Sequence, residues 1–232
     1  MLGTLINFAL ILLGSFLGLL LRKGLPERMN RTVMCGLGLA TVLIGLNGAL
    51  KSADTLCIIV CVAVGSLIGS ALDIEHQLDR LGRFAERKLG GLAGEGSISK
   101  GFVTASLVFC VGAMAIVGAI NSGIHGDHST LIAKAVIDGI ASIVFASTLG
   151  VGVALSAVSV LVYQGTITLL ASALAPVLTE PVILEMGAVG GLLVAAIGMN
   201  MIYDDKHIPV GNMLPAIFLP LAYLPIAAML AR

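Results

Sequence analysis

Charged residues are scarce in this sequence, and tryptophan is absent. Of its 232 residues, 11% are charged, 4% are aromatic and 58% are apolar. A water-soluble globular domain has roughly 25% charged and about 45–50% apolar residues, so the composition excludes that class. The 13 basic and 13 acidic side chains cancel. Because no basic stripe with interleaved aromatic residues is present, we expect no nucleic-acid partner.

Recognisable metal-binding and catalytic motifs are missing as well. The four cysteines lie inside apolar runs without a Cys-x-x-Cys pair, which is typical of small buried apolar side chains. GxSxG and HExxH motifs are absent, and the four histidines lie in the connections between runs. We therefore expect no enzymatic activity, no catalytic residue, no metal and no cofactor. The cysteines are Cys35, Cys57, Cys61 and Cys110.

Long apolar runs dominate the sequence, and several of them are about 20 residues long, enough for a helix to cross a bilayer core of about 30 Å. The sequence therefore predicts an all-α integral membrane protein in contact with membrane lipids. The segment Gly150-Val151-Gly152 is either a surface turn between two spans or a break inside one, so seven spans are the alternative to eight. The eight predicted spans lie near 4–21, 32–50, 54–72, 101–121, 131–149, 152–173, 182–203 and 211–231.

Most of the lysine and arginine is concentrated in three connections, 22–31, 73–100 and 204–210. Under the eight-span count these connections share one side, which the positive-inside rule assigns to the cytoplasm. The segment 73–100 also repeats apolar residues at three- and four-residue steps, which predicts an amphipathic helix along the headgroups. A glycine-rich hinge is predicted after it, at 90–97.

An internal repeat appears when the sequence is shifted by 153 residues. The segment Gly38–Asn47 then pairs with Gly191–Asn200, with five of ten positions identical. Five crossings, an odd number, separate the two units, so the second unit is predicted to be inverted in the membrane, as in many secondary transporters. The predicted units are a first three-helix unit at 1–72, a cytoplasmic connection at 73–100, two linking helices at 101–150 and an inverted three-helix unit at 151–232.

Polar side chains inside the apolar runs are the candidate pathway residues, because an unpaired polar group in hydrocarbon costs several kcal/mol. Asn47 and Asn200 lie toward the ends of spans two and seven, which are at opposite faces in inverted units. We interpret them either as lining two symmetric half-paths or as bonding a neighbouring helix.

Lys134 and Asp138 are four residues apart and therefore share one face of span five. A carboxylate buried beside a lysine suits a proton- or cation-coupled site, whereas a lysine that reaches the headgroups is the alternative. From the sequence, Asp138→Asn is expected to leave stability about unchanged and to abolish ion- or solute-dependent stabilisation. Tyr163 and Gln164 make the middle of span six polar, and the Gln164 amide can bind a carboxylate or a carbonyl.

Several sequence elements, distributed over nearly the whole chain, carry a resemblance to one family. They are Gly3–Asn7, Gly45–Asn47, Asp138–Ile140, Phe145–Gly152, Ser156–Ala157, Tyr163–Ala171 and Gly198–Asn200. With these elements the chain resembles the bacterial DUF554 (YdfK/YqgA-like) inner-membrane proteins. The resemblance implies a multi-pass protein of the bacterial inner membrane with a suspected transport role. It supplies no catalytic or ligand residues.

The sequence favours a secondary-transporter-like protein that moves a small polar or ionic solute across the inner membrane. Asn47, Asn200, Asp138 and Gln164 are the main predicted pathway residues. The alternative is a non-transporting scaffold or partner-binding protein, in which these groups only pair helices. A cavity that reaches Asp138 or Gln164 favours transport, and a dry, fully paired interior favours a scaffold.

The charge distribution predicts the N-terminus outside, segment 73–100 inside and the C-terminus outside. Reporter fusions after Leu89 and at Arg232 should therefore report opposite sides of the membrane. Reporters on the same side would contradict the eight-span count.

Glycine-rich helix faces predict a homodimer, because small residues let helices pack closely in lipid and twofold symmetry is the commonest closed arrangement. The particle mass in mild detergent and in nanodiscs should correspond to two chains. A single-chain mass in both media would contradict this prediction.

Overall fold

The computed structural model describes residues 1–22, 27–88, 98–203 and 208–230, and in these ranges the ordered elements are helices. They are α1 Leu2–Arg22, α2 Glu27–Ala49, α3 Thr55–Ala71, α4 Ile74–Lys88, α5 Ile98–Cys110, α6 Ala113–Ile124, α7 Ser129–Leu149, α8 Gly152–Leu169, α9 Ala171–Leu174, α10 Glu180–Ile202, the 3₁₀ helix η1 Val210–Phe218 and α11 Pro220–Leu230.

Five of the described helices are long and apolar enough to cross a membrane, and the number rises to eight when three bent helix pairs are each taken as one span. The prediction of an all-α integral membrane protein is therefore confirmed. The five helices are Leu2–Leu21, Arg31–Ala49, Ser129–Leu149, Gly152–Leu169 and Glu180–Ile202.

The chain reverses direction between α7 and α8. The start of α5, at Gly101, lies against Leu149 and Gly152, whereas Gly123 at the end of α6 lies against Thr168 near the end of α8. The helices α5, α6 and α8 therefore run in the same direction, and α7 runs against them. Gly150, with a φ of 81°, forms the turn. This reversal favours a surface turn at this point over a break within one span.

Two of the predicted spans contain a break. The span at 101–121 is α5 and α6, bent by 62° at Val111 and Gly112. Gly112 has a φ of 127°, which side-chain-bearing residues rarely adopt. The span at 211–231 is η1 and α11, bent by 46°. Proline causes this second break because Pro215 lies inside η1 and Pro220 begins α11, and neither has a backbone N–H to donate.

The predicted amphipathic helix of segment 73–100 is present as α4. It follows α3 after a bend of 56°, where Asp73 adopts a φ of 51°. The side chain of Asn212 in η1 accepts a hydrogen bond from the Glu75 backbone N–H at 2.8 Å and thereby fixes the start of α4. The predicted hinge at 90–97 lies outside the described residues.

The helices form two groups. Bundle A consists of α1 and α5–α9, and bundle B consists of α2, α3, α10, η1 and α11, with the closest packing of the molecule between α1 and α7 and between α2 and α10. The two bundles touch through small interfaces, mainly α5 and α6 against α10 and α2 against α7, while α4 contacts both. A cleft therefore separates the bundles.

The molecule has two ends, the Met1 face and the opposite face. At the Met1 face, the Met1 amino group lies 3.5 Å from Ser122 Oγ at the end of α6, and the N-terminal turns of α7 and α10 lie at the same end. The opposite face carries the start of α5, the end of α10 and α4.

Glycine allows α2 and α10 to pack backbone to backbone. A Cβ atom at Gly45 would clash with the backbone of Gly191 and Ala195, and a Cβ atom at Gly38 would meet the Gly198 carbonyl at 2.8 Å. This pairing makes α2 and α10 the central unit of bundle B.

The contact of α2 with α10 gives a direct test of the fold. Gly45→Ala should destabilise the protein by about 1–3 kcal/mol, because the added methyl group overpacks against backbone that has little room to move. Gly36→Ala on the same helix is the matched control, since a Cβ atom there meets nothing within 4 Å. It should be neutral or stabilising by up to about 1 kcal/mol, through helix propensity. Unfolding in detergent with increasing denaturant measures both, and equal effects would contradict the packing.

Candidate functional site

A buried polar cluster joins α1, α7 and α8 in bundle A. Lys134 Nζ donates to Asp138 Oδ2 at 2.5 Å. Asn7 Nδ2 donates to the same carboxylate oxygen at 3.0 Å and also lies 3.3 Å from Gln164 Oε1. Exposure is 6% for Lys134, 4% for Asp138 and 0% for the two amides. The structure thus brings together three residues predicted from the sequence and adds Asn7.

Close helix packing allows Asn7 to reach the ion pair. Lys134 and Asp138 lie on one face of α7 because they are separated by one helical turn. The helices α1 and α7 are too close for a side chain at Gly14, since a Cβ atom there would clash with Ser142 and the Gly139 carbonyl. This short distance between α1 and α7 puts the Asn7 amide within hydrogen-bonding distance of the carboxylate.

A cavity of about 570 Å³ opens onto this ion pair from the cleft between the bundles. Bundle A contributes Lys134, Asp138 and the break between α5 and α6, and bundle B contributes α2 and α10. Asn47, near the C-terminal end of α2, and Lys51, in the turn after α2, line the part of the cavity toward the Met1 face. Asn47 therefore shares a cavity with Asp138.

The break between α5 and α6 adds backbone polarity to the cavity wall. Val111, Gly112, Ala113 and Met114 line the cavity, and the last carbonyls of α5 and the first N–H groups of α6 lack intrahelical partners there. The two half-helix ends place a partial negative charge and a partial positive charge beside Lys134 and Asp138. An interrupted helix within a membrane is tolerated where it lines a cavity, as in many transporters.

Several buried polar atoms of bundle A have no hydrogen-bond partner within the described part of the chain. One acceptor, Asn7 Oδ1, and one donor, Gln164 Nε2, belong to the cluster itself. A buried polar group without a partner costs about 1–3 kcal/mol, so native structures contain few of them. The others are Thr4 Oγ1, Ser15 Oγ and Thr168 Oγ1.

Asn200, the repeat partner of Asn47, lies at the opposite face. Its side chain accepts from the Ile208 N–H at 2.9 Å and donates to the Ile208 carbonyl at 2.8 Å, so it fastens the chain that follows α10. It also lines a smaller cavity of about 240 Å³ between α4, α5, α10 and η1. The structure does not bring Asn200 to the ion pair.

Tyr163 is next to Gln164 in sequence and points in another direction. It lines an apolar cavity of about 790 Å³ between α5, α6 and α8 on one side and α10, η1 and α11 on the other. The structure therefore separates Tyr163 from the Asp138 cluster. No group of three or more metal-ligating side chains occurs among the described residues.

Sequence reasoning missed Asn7 as a site residue. The available signal was an asparagine inside the apolar run of the first span, the same signal that identified Asn47 and Asn200. Its role depends on contacts with residues 131 and 157 positions away in sequence, which no local pattern shows.

The fold and the site define a multi-helix membrane protein with a buried ion pair at a helix break. The family model "Protein of unknown function (DUF554)" matches residues 2–224, and the chain belongs to this family. It is similar to "Uncharacterized membrane protein YdfK" of Bacillus subtilis (strain 168), with 31% identity over 95% of this chain and 94% of that one. It is also similar to "Uncharacterized protein YqgA" of Escherichia coli (strain K12), with 34% identity over 94% and 93% of the two chains. No solved structure matches it.

The pairing of Lys134 with Asp138 changes the expectation for stability. Asp138→Asn should destabilise the protein, because it leaves the Lys134 ammonium buried without its counter-ion, and Lys134→Met should do the same to the carboxylate. Removing one partner of a buried pair costs about 3–5 kcal/mol. The double variant Lys134→Met/Asp138→Asn keeps the Asn7 hydrogen bond and removes both charges, so it should recover most of the loss.

Thermal unfolding in detergent of the two single variants and the double variant measures this coupling. If each single variant unfolds at the wild-type temperature, the two groups are not a desolvated ion pair.

Proposed function

We propose that the protein is a secondary transporter of a small polar or ionic solute in the bacterial inner membrane. The observation that supports this is the cavity that reaches Asp138 and Lys134 at the break between α5 and α6, in the cleft between two helix bundles. A scaffold whose polar groups only pair helices does not need a cavity at its buried charges. Solutes of amino-acid or small-carboxylate size fit a volume of about 570 Å³.

The arrangement of the helices supports an inverted repeat. The contact of Gly38 with Gly198 becomes the contact of Gly191 with Gly45 when each residue is replaced by its partner at a shift of 153, and both contacts are present. Each helix of the first unit also packs against its predicted counterpart, α1 against α8, α2 against α10 and α3 against η1. Such a pairing is expected of two units related by a pseudo-twofold axis in the membrane plane.

The two asparagine cavities support two half-paths. Ile44, Asn47 and Gly48 line the cavity toward the Met1 face. Their partners at a shift of 153, Ile197, Asn200 and Met201, line the smaller cavity at the opposite face. In a transporter that alternates between two open states, the larger cavity is the open half-path and the smaller one the closed half-path.

A stabilisation screen on the purified protein tests the proposal. The probes are Na⁺, K⁺, small mono- and dicarboxylates, amino acids and amines, each added at constant pH and ionic strength. A probe that binds the folded state at 100 times its Kd stabilises it by about 2.7 kcal/mol. At least one probe should raise the unfolding temperature of the wild type, and the Lys134→Met/Asp138→Asn and Asn47→Leu variants should lose this shift.

Thr166→Val is the matched control, because Thr166 lines the apolar cavity on the other side of α5 and α6. It should keep the wild-type response. If the shift in unfolding temperature persists in the Lys134→Met/Asp138→Asn and Asn47→Leu variants, transport through this cavity is contradicted. If no probe shifts the unfolding temperature of the wild type, the scaffold is favoured and transport through this cavity is likewise contradicted.

A further inference from the structure

We propose that a column of bound water inside bundle A connects Asp138 to the Met1 face and carries protons to its carboxylate. This inference rests on the proposed function and names its coupling ion. It is carried by the buried polar atoms without protein partners, which the cavity in the cleft does not explain.

The column has three levels between the Met1 face and Asp138. At the Met1 face, His128 Nδ1 lies 2.8 Å from Ser122 Oγ, which is also 3.5 Å from the Met1 amino group. The middle level is formed by the Thr4 and Thr168 hydroxyl groups. The lowest level is the Asn7–Gln164 pair, which contacts Asp138.

The antiparallel register of α1 and α8 sets these levels. The Asn7–Gln164 contact places Thr4, one turn before Asn7, opposite Thr168, one turn after Gln164. Successive levels are about 4.5–6 Å apart at 1.5 Å per residue. This spacing is too long for a direct hydrogen bond, and one bridging water spans it.

The chemistry of the unpartnered atoms selects water over a metal cation. Asn7 Oδ1 needs a donor, whereas Gln164 Nε2 needs an acceptor, and the two threonine hydroxyl groups can do either. A water molecule can donate a hydrogen bond to Asn7 Oδ1 and accept one from Gln164 Nε2, whereas a cation would be repelled by the Gln164 N–H groups. Lys134 already balances the charge of Asp138, so the cluster offers little attraction to a second cation.

The column ends at Asp138 because the next level is apolar. Ile11 on α1 and Val160 on α8 continue the same register toward the opposite face, and both are fully buried. Water can therefore reach the carboxylate from the Met1 face and does not continue between these two helices. This one-sided access is what a coupling site requires.

The proton transfer is balanced without a further reactant. A proton enters at the His128–Ser122 pair, passes along waters and hydroxyl groups, and binds the Asp138 carboxylate, which becomes neutral. Among the described residues, the charged and ionisable groups around Asp138 are Lys134 on α7, Cys110 at the end of α5 and, across the cavity, Lys51 in the turn after α2. The neighbouring α1 and α8 present the uncharged amides of Asn7 and Gln164.

Protonation has a consequence for the solute. Lys134 then keeps its charge and loses its counter-ion at the wall of the cavity. An anionic group of a solute can replace the carboxylate beside Lys134, with Lys51 carrying the same sign nearby. The transported solute is therefore expected to be a small anion that moves together with a proton.

The experiment is a pH jump on the full chain in nanodiscs, followed by infrared spectroscopy. The carboxyl C=O band assigned to Asp138 is the one that Lys134→Met/Asp138→Asn removes, and its rate of appearance reports proton arrival. Thr4→Val/Thr168→Val, which removes two hydroxyl groups at nearly constant volume, should slow this rate at least tenfold. Thr4→Ser/Thr168→Ser keeps the hydroxyl groups and should keep the wild-type rate.

Ser15→Ala is the matched control. Ser15 Oγ is also a buried atom without a partner on α1, and it lies beyond the Ile11 level, so its removal should not change the rate. A wild-type rate in Thr4→Val/Thr168→Val, or an equal slowing in Ser15→Ala, overturns the proposal.

A second measurement needs no variant. In hydroxyl-radical footprinting of the unmodified protein, bound water labels the side chains beside it, so the part of α8 with Gln164 and Thr168 should be labelled and the part with Val160 should not. Absence of label at Gln164 and Thr168 overturns the column. The two proposals can fail independently. If no solute probe stabilises the protein but the infrared and footprinting results are as expected, the transport proposal is contradicted and the water column is not.

Discussion

The ion pair of Lys134 and Asp138 is the interaction on which the interior of this protein depends. A charge inside an apolar span is costly, by at least about 2.5–3.5 kcal/mol for each residue at the centre of a membrane helix. The two charges are tolerated because they share a face of α7, because Asn7 adds a hydrogen bond from α1, and because a cavity and a helix break provide further polarity. The tight packing of α1 on α7, with glycine at the contact, brings that amide to the carboxylate.

Another buried acid shows why Asp138 stands apart. Glu185 in α10 is 2% exposed and accepts hydrogen bonds from the Ser52 hydroxyl and from the backbone N–H groups of Ala53 and Asp54. These hydrogen bonds attach the connection between α2 and α3 to α10. Two of the three donors are backbone N–H groups, whose positions are set by the fold. The donors to Asp138 are two side chains that both bind one oxygen, and the residue lines a cavity. A carboxylate with this arrangement can exchange a partner without unfolding a loop.

The division into two bundles determines where the protein is expected to move. Bundle B is built on the glycine contact of α2 with α10, and bundle A on the contact of α1 with α7. Contacts between the bundles are few, and the broken helix of α5 and α6 lies in that gap. Packed cores resist gradual deformation, so movement is expected at this boundary. The units predicted from the 153-residue shift do not coincide with the bundles, since α1 belongs to bundle A while α2 and α3 belong to bundle B.

The sequence by itself determined the class of the protein, the approximate position of each span and the shared helix face of Lys134 and Asp138. These features are local, because the length of an apolar run and a separation of four residues on a helix need no knowledge of the fold. Only the tertiary structure decided that Asn7 and Gln164 join the pair and that Asn47 lines the same cavity as Lys134 and Asp138. It likewise decided that Asn200 and Tyr163 lie elsewhere. It also decided which glycine interrupts a helix, since Gly112 in its apolar run looks like the glycines that pack α2 against α10. The physical reason is that these outcomes depend on contacts between helices far apart in the sequence, and in a chain this uniformly apolar many such packings have similar local patterns.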